Sequence, residues 1–111
     1  MNAADLLQRK CAPQHTALSA SEIAGYLPAV PDWNVQDGRL VRQFRFENYY
    51  RTLAFVNAVA YIAHTEDHHP ELTVTYNTCT IRYDTHSAKG LSPNDFICAA
   101  KVDAVLMQSP A

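Results

Sequence analysis

The hydrophobic pattern changes period several times along the chain, and each change marks an element. Ser19 and Glu22 have capping-box spacing ahead of Ile23, Tyr26 and Leu27 at helical intervals, and Pro28 and Pro31 close that helix. From Trp33 to Phe46 the period falls to two. Asp37-Gly38 lies between the two runs and suits a type I′ hairpin, whose central residues both need positive φ. With Gln36 facing Arg39, Val35 pairs with Leu40 and Trp33 with Arg42, placing Trp33, Val35, Leu40, Phe44 and Phe46 on one face. Arg42 is the discordant member, able to cover apolar surface with its stem while its charge reaches the edge.

Tyr49 to about Thr65 is the longest helical pattern, with Leu53, Val56 and Ala60 on one stripe and Phe55, Val59 and Ile62 beside it. It must stop near Asp67, because Pro70 disfavours helical geometry at His69 and has no backbone N–H to donate. Two further strands follow, Leu72 to Tyr76 and Cys79 to Tyr83, joined by a tight Asn77-Thr78 connection and ended by His86. Ser92 reads as an N-cap with Pro93 at the first helical position and Asp95 at the third, opening a helix that carries Phe96, Ile97, Ala100 and Val105.

Helix, two strands, helix, two strands, helix predicts an α+β fold: a four-stranded, mainly antiparallel sheet with its helices packed on one face. The other face carries Thr, Arg, Asn and Asp side chains, to be wetted or partly covered by a second subunit. Residues 1–17 read as a peripheral segment, disordered or loosely docked, with a short helix around Leu6 and Leu7 stopped by Pro13. Residues 18–108 form the single domain.

Composition narrows the classes. The 111 residues are 48% apolar and 18% charged, enough for one core and too few for two. Nine basic against eleven acidic side chains give no positive field for a phosphate backbone, so no nucleic-acid partner is expected. No apolar run reaches membrane-spanning length, and the first fifteen residues lack a signal-peptide core, so a cytoplasmic protein with no membrane partner is expected. Cys11, Cys79 and Cys98 are odd in number and widely spaced, which fits a reducing compartment. Cys79 and Cys98 follow the core periodicity and Cys11 falls outside the domain.

Four of the five histidines, His64, His68, His69 and His86, cluster around the second helix-to-strand junction. Histidine exchanges protons near neutrality, so several around one cleft suit acid-base work, whereas His15 in the loose segment reads as a surface residue. Metal binding is the rival reading, with His64 and His68 four residues apart on a helix, Glu66 between them and His86 as a third ligand. Against it, Glu66 does not directly follow the first histidine as in the zinc-protease motif.

The run His64-x-x-x-His68-His69-Pro70, followed by Tyr76, His86 and Asp95, resembles the signature of pterin-4a-carbinolamine dehydratases, also known as dimerization cofactors of a hepatocyte nuclear factor. The resemblance spans about Leu18 to Val105 and includes Trp33, the Asp37-Gly38 hairpin, Phe44-Arg45-Phe46, Phe55 and Gly90-Leu91-Ser92. It implies a lyase that removes water from 4a-hydroxytetrahydrobiopterin to give the quinonoid dihydropterin in tetrahydrobiopterin recycling. That reaction needs one acid and one base, and neither a redox cofactor nor a metal. By resemblance His68, His69 and His86 are the catalytic set, with His69 and His86 moving protons and His68 holding the hydroxyl; His64, Asp67, Pro70, Thr85 and Asp95 are the substrate-binding candidates. Tyr76 reads as core packing or a strand pair, and Asp95 equally as the N3 residue of the last helix. Two positions depart from the family pattern: histidine stands at 64 where many relatives have glutamate, and leucine at 72 where some animal members have tryptophan. The implied partners are the pterin substrate, a homodimer or homotetramer, and a functional link to an aromatic amino-acid hydroxylase. The alternative role is a binding module that stabilises a transcription factor's dimer without catalysis.

Overall fold

A computed structural model describes residues 1–108. Four helices, α1 (Ala3–Leu7), α2 (Ala20–Tyr26), α3 (Tyr49–Glu66) and α4 (Pro93–Gln108), accompany four strands, β1 (Asn34–Gln36), β2 (Arg39–Arg45), β3 (Glu71–Val74) and β4 (Thr78–Tyr83). The sheet is wholly antiparallel, in the order β1-β2-β4-β3. Leu40 and Phe44 from β2 and Cys79, Ile81 and Tyr83 from β4 meet Phe55 and Val59 of α3 and Phe96, Ile97, Ala100 and Val102 of α4 in one core. The α+β architecture expected from the pattern is the one observed.

The first hairpin has the expected register, Val35 opposite Leu40 and Gln36 opposite Arg39. Asp37 at φ 52° and Gly38 at φ 75° make the type I′ turn. Trp33 precedes the strand instead of pairing within it, and Val35 is exposed, because β1 is a short edge strand that no helix covers. Trp33 is buried nonetheless, its Nε1–H donating to Asp103 of α4 at 2.9 Å. Arg42 lies with its guanidinium 4.2 Å from the Phe44 ring centroid and pairs with Asp103 at 2.8 Å, which resolves its discordant position.

The second hairpin differs from the expected one. β3 ends at Val74, and the turn runs from Thr75 to Thr78 with Tyr76-Asn77 at its centre, closed by Thr75 N–H donating to the Thr78 carbonyl at 2.9 Å. The two threonine hydroxyls also bond each other, an arrangement that an alternation of apolar residues does not reveal. On α3 the packed face is centred on Thr52, Phe55, Val59 and Glu66, while Ala60 is exposed. The expected Leu53-Val56-Ala60 stripe is the flank of that face, because the sheet lies to the Phe55 side.

The largest departure is at the amino terminus. α1 ends at Leu7, well before Pro13, and Leu6 is fully buried against α4. Residues 11–14 then cross the end of the domain as a strap. Cys11 N–H donates to Glu66, Ala12 exchanges two hydrogen bonds with the Asn94 side chain, and Ser87 Oγ donates to the Gln14 carbonyl. These partners are far away in sequence, so the periodicity of the first seventeen residues carries no sign of them.

Candidate active site

The junction between α3 and β3 is built by a helix stop. Asp67 adopts a left-handed conformation at φ 52°, its N–H bonds His64 O, and His68 N–H bonds Ala63 O, the pattern of a Schellman motif. Asparagine and aspartate tolerate this region better than most residues. The chain therefore turns sharply, and Pro70 leads it into edge strand β3, where its missing N–H costs no ladder bond. His68 and His69 are presented at the turn. His86 arrives from the other side, opening a short 3-10 turn (His86–Ala88) beyond the end of β4. It does not end the strand itself, since Asp84 and Thr85 intervene.

These segments and the amino-terminal strap enclose a cavity of about 620 Å³, within the range of small-molecule sites. Asp67, His68, His69, Pro70, Thr85 and His86 line it, together with Cys11 to Gln14, Arg39, Glu66 and Asn94. His64 is exposed on α3 outside the cavity, so the histidine at the departed family position does not face it. Asp95 lies behind the wall, completely buried. Tyr76 is 64% exposed in the β3–β4 turn and stacks on Tyr49, so its expected core packing is not observed. The ligand group considered from spacing does not form either: His64, His68 and His86 do not converge, and among the described residues no group of three or more His, Cys, Asp or Glu side chains is placed to hold a metal ion.

Behind the cavity a directed hydrogen-bond chain fixes one imidazole. Asn94 N–H donates to Ser92 Oγ, the Ser92 and Thr85 hydroxyls bond at 2.6 Å, and Thr85 Oγ1 donates to Asp95 Oδ2 at 2.9 Å. Since Thr85 gives its hydrogen to Asp95, the Ser92 hydroxyl must donate to Thr85. Ser92 N–H also donates to Asp95 Oδ2 at 2.9 Å, completing the N3 capping arrangement read from the sequence. Oδ2 is thus occupied by donors, and Oδ1 faces His68 Nε2 at 2.6 Å. A carboxylate only accepts, so Nε2 carries the ring hydrogen and Nδ1 is left free of any hydrogen bond within the described chain. The ring stacks on Tyr83 at 5.8 Å between centroids and 9° between planes. Burial raises the Tyr83 phenol well above the usual range, and its Oη has no hydrogen-bond partner among the described residues. It therefore serves the site as a neutral aromatic plate.

His69 and His86, by contrast, are exposed to the cavity. One half-buried, oriented imidazole and two accessible ones thus stand around a cavity of small-molecule size, the kind of groups that proton transfer near neutrality requires. Several contributors have structural roles that no sequence signal indicated. Glu66 is only 8% exposed and accepts from Cys11 N–H at 2.8 Å and Lys101 Nζ at 2.7 Å. Burial opposes its ionisation, but Lys101 and the Cys11 N–H outweigh it and hold its pKa below the usual carboxylate value. Asn94, Arg39 and the strap belong to the wall only because distant segments converge there.

Residues 16–105 match the family model of pterin 4 alpha carbinolamine dehydratase. A Bdellovibrio bacteriovorus protein provisionally named pterin-4-alpha-carbinolamine dehydratase is 50% identical over 109 residues, covering 95% of this chain and 91% of its own. One from Stenotrophomonas maltophilia with the same provisional name is 50% identical over 110 residues, covering 95% of each. Among solved structures, a transcriptional coactivator/pterin dehydratase from Brucella melitensis superposes with a TM-score of 0.77 at 33% identity, over 81% of this chain and 98% of that one. A pterin dehydratase-like RuBisCO assembly factor of the alpha-carboxysome, at 24% identity and a TM-score of 0.57, shares the fold. The chain belongs to the pterin-4a-carbinolamine dehydratase family.

Proposed function

We propose that the protein dehydrates a 4a-hydroxytetrahydropterin, 4a-hydroxytetrahydrobiopterin in the recycling of tetrahydrobiopterin, by histidine acid-base catalysis. The observation that carries this reading is the single cavity lined by His68, His69 and His86, with His68 anchored from behind by Asp95. Loss of water requires a proton to reach the hydroxyl on C4a and another to leave the neighbouring ring nitrogen. His69 and His86, the two accessible imidazoles, perform these transfers, one as acid and one as base. His68, with Nε2 committed to Asp95, uses Nδ1 to accept the hydrogen of the substrate hydroxyl and hold it in position. Both elements of water leave the substrate, and one imidazole ends protonated where the other ends neutral, so exchange with solvent resets the pair.

Asp67 and Pro70 shape the cavity edge beside the pterin, and Thr85 acts mainly through Asp95. The same reading carries a homodimer or homotetramer, a cytoplasmic location and a supply of substrate from an aromatic amino-acid hydroxylase. No helix among the described residues is long and apolar enough to cross a membrane. The test follows the dehydration of enzymatically generated 4a-hydroxytetrahydropterin by absorbance, with a metal chelator present, for the wild type and His69→Ala. Acceleration that survives the chelator and falls about 10²-fold in the variant is expected. Acceleration abolished by chelator would return the site to metal chemistry, and none at all would leave the binding-module role.

A further inference from the structure

The amino-terminal strap brings together two cysteines that are eighty-seven positions apart. Cys11 Sγ lies 3.6 Å from Cys98 Sγ and also 3.6 Å from the Asn94 carbonyl, so the two thiols touch without a covalent bond. A disulfide needs a sulfur separation of about 2 Å, a closure within reach of side-chain rotation if the strap follows. Cys11 is half-buried and lines the cavity, whereas Cys98 is fully buried on α4. Cys79, the third cysteine, is fully buried on β4 and makes no such contact.

We propose that Cys11 and Cys98 form an intramolecular disulfide under oxidant, a modification site that pins the 11–14 strap, one wall of the histidine cavity, onto α4. The oxidant is a peroxide, which can reach Cys11 from the cavity. The Cys11 sulfur attacks the peroxide O–O bond and becomes a sulfenic acid as one water leaves. Cys98 sulfur then attacks the sulfenic sulfur, forming the S–S bond and releasing a second water. Two thiols and one peroxide give one disulfide and two waters. The hydrogen bond with Cys11, together with burial, holds the Cys98 thiol well above its usual range, so Cys11 is the first to react. A pair that closes only under oxidant is the kind of disulfide found in reducing compartments.

The proposal goes beyond the dehydratase reading and does not depend on it, because its readouts are chemical and thermal. Full-length reduced protein is treated with stoichiometric hydrogen peroxide, then examined by intact mass, non-reducing peptide mapping and thermal melting. The expected result is loss of two hydrogen atoms in mass, a Cys11–Cys98 linked peptide, free Cys79, and a melting temperature raised by about 10 °C because the cross-link closes a long loop in the unfolded chain. Dithiothreitol restores the mass, the unlinked peptides and the lower melting temperature, and Cys11→Ser forms no internal link and shows no rise in melting temperature. Hydrogen exchange at the Cys11 and Ala12 amides slows in the oxidised form. The proposal is overturned if Cys11 proceeds to sulfinic acid while Cys98 stays a thiol, if the cross-link joins two chains, or if the linked protein melts no higher than the reduced one.

Discussion

Replacing Asp95 with asparagine separates orientation from packing at the centre of the site. The buried carboxylate accepts from Ser92 N–H, Thr85 Oγ1 and His68 Nε2. Asparagine has nearly the same shape, and its carbonyl can keep the first two donors. Its amide then faces Nε2 and donates, so the ring must move its hydrogen to Nδ1. Nδ1, which in the proposed role accepts the hydrogen of the substrate hydroxyl, thereby changes from acceptor to donor. Exchanging charge-assisted for neutral hydrogen bonds at two donors costs about 2 kcal/mol, a fall in melting temperature of roughly 10 °C, which leaves the protein folded. The dehydration rate falls much further in relative terms, on the order of 10²-fold, because the imidazole is held in the wrong tautomer. Nitrogen-15 chemical shifts of the His68 ring report the tautomer directly, and the absorbance assay reports the rate. Asp95→Ala, which strands three buried donors, is expected to cost about 4 kcal/mol and to lower stability far more than asparagine does. An Asp95→Asn protein that dehydrates at the wild-type rate, or whose His68 still carries its hydrogen on Nε2, would falsify the assigned role of this network.

The remaining expectations concern single groups. His86→Ala should lose about 10²-fold in rate, while His64→Ala, exposed outside the cavity, should stay within about threefold of wild type. Glu66 has a folded pKa below its ordinary value of 4.5, so its pairing with Lys101 stabilises the fold above that pH and the contribution is lost as pH falls through the folded pKa. The stability advantage of wild type over Glu66→Gln, read from urea melts, should therefore be present at pH 6 to 7 and shrink as pH falls below the ordinary value of 4.5. A Cβ at Gly90 would sit 2.9 Å from Ala17 Cβ, where Leu18 N–H bonds Leu91 O. Gly90→Ala should thus cost about 2 kcal/mol in chemical denaturation, and an unchanged midpoint would show that the 17–18 segment yields without strain.

The elements that depend on local rules were legible in the amino-acid order. Asp37-Gly38 specifies its turn because few other pairs accept two positive φ values, and Ser92, Pro93 and Asp95 specify the start of α4 because each satisfies or avoids one orphan N–H. The stop at Asp67 and the two strands after it follow from Pro70 and the period of two. The types and spacing of the histidines drew attention to the α3–β3 junction, where three of the four line one cavity. The resemblance at His64, His68, His69, Pro70, His86 and Asp95 then pointed to the family.

What periodicity could not specify was anything that depends on which distant surfaces meet. The short distance from His68 to Asp95 joins a helix stop to the start of another helix, and neither sequence neighbourhood encodes it. Leu6 is buried and Cys11 meets Cys98 because α4 offers them a surface, whereas their own segment has no period to read. Likewise, the packed face of α3 turned to Phe55, Val59 and Glu66 because the sheet and Lys101 lie on that side. His64 shares the helical spacing of His68 but not its cavity, since the left-handed turn at Asp67 carries the chain away from the helix axis between them. Local sterics and hydrogen-bond needs act within a few residues and are written in the sequence. Burial, pairing and the commitment of His68 Nε2 to Asp95 arise only once the chain has closed on itself.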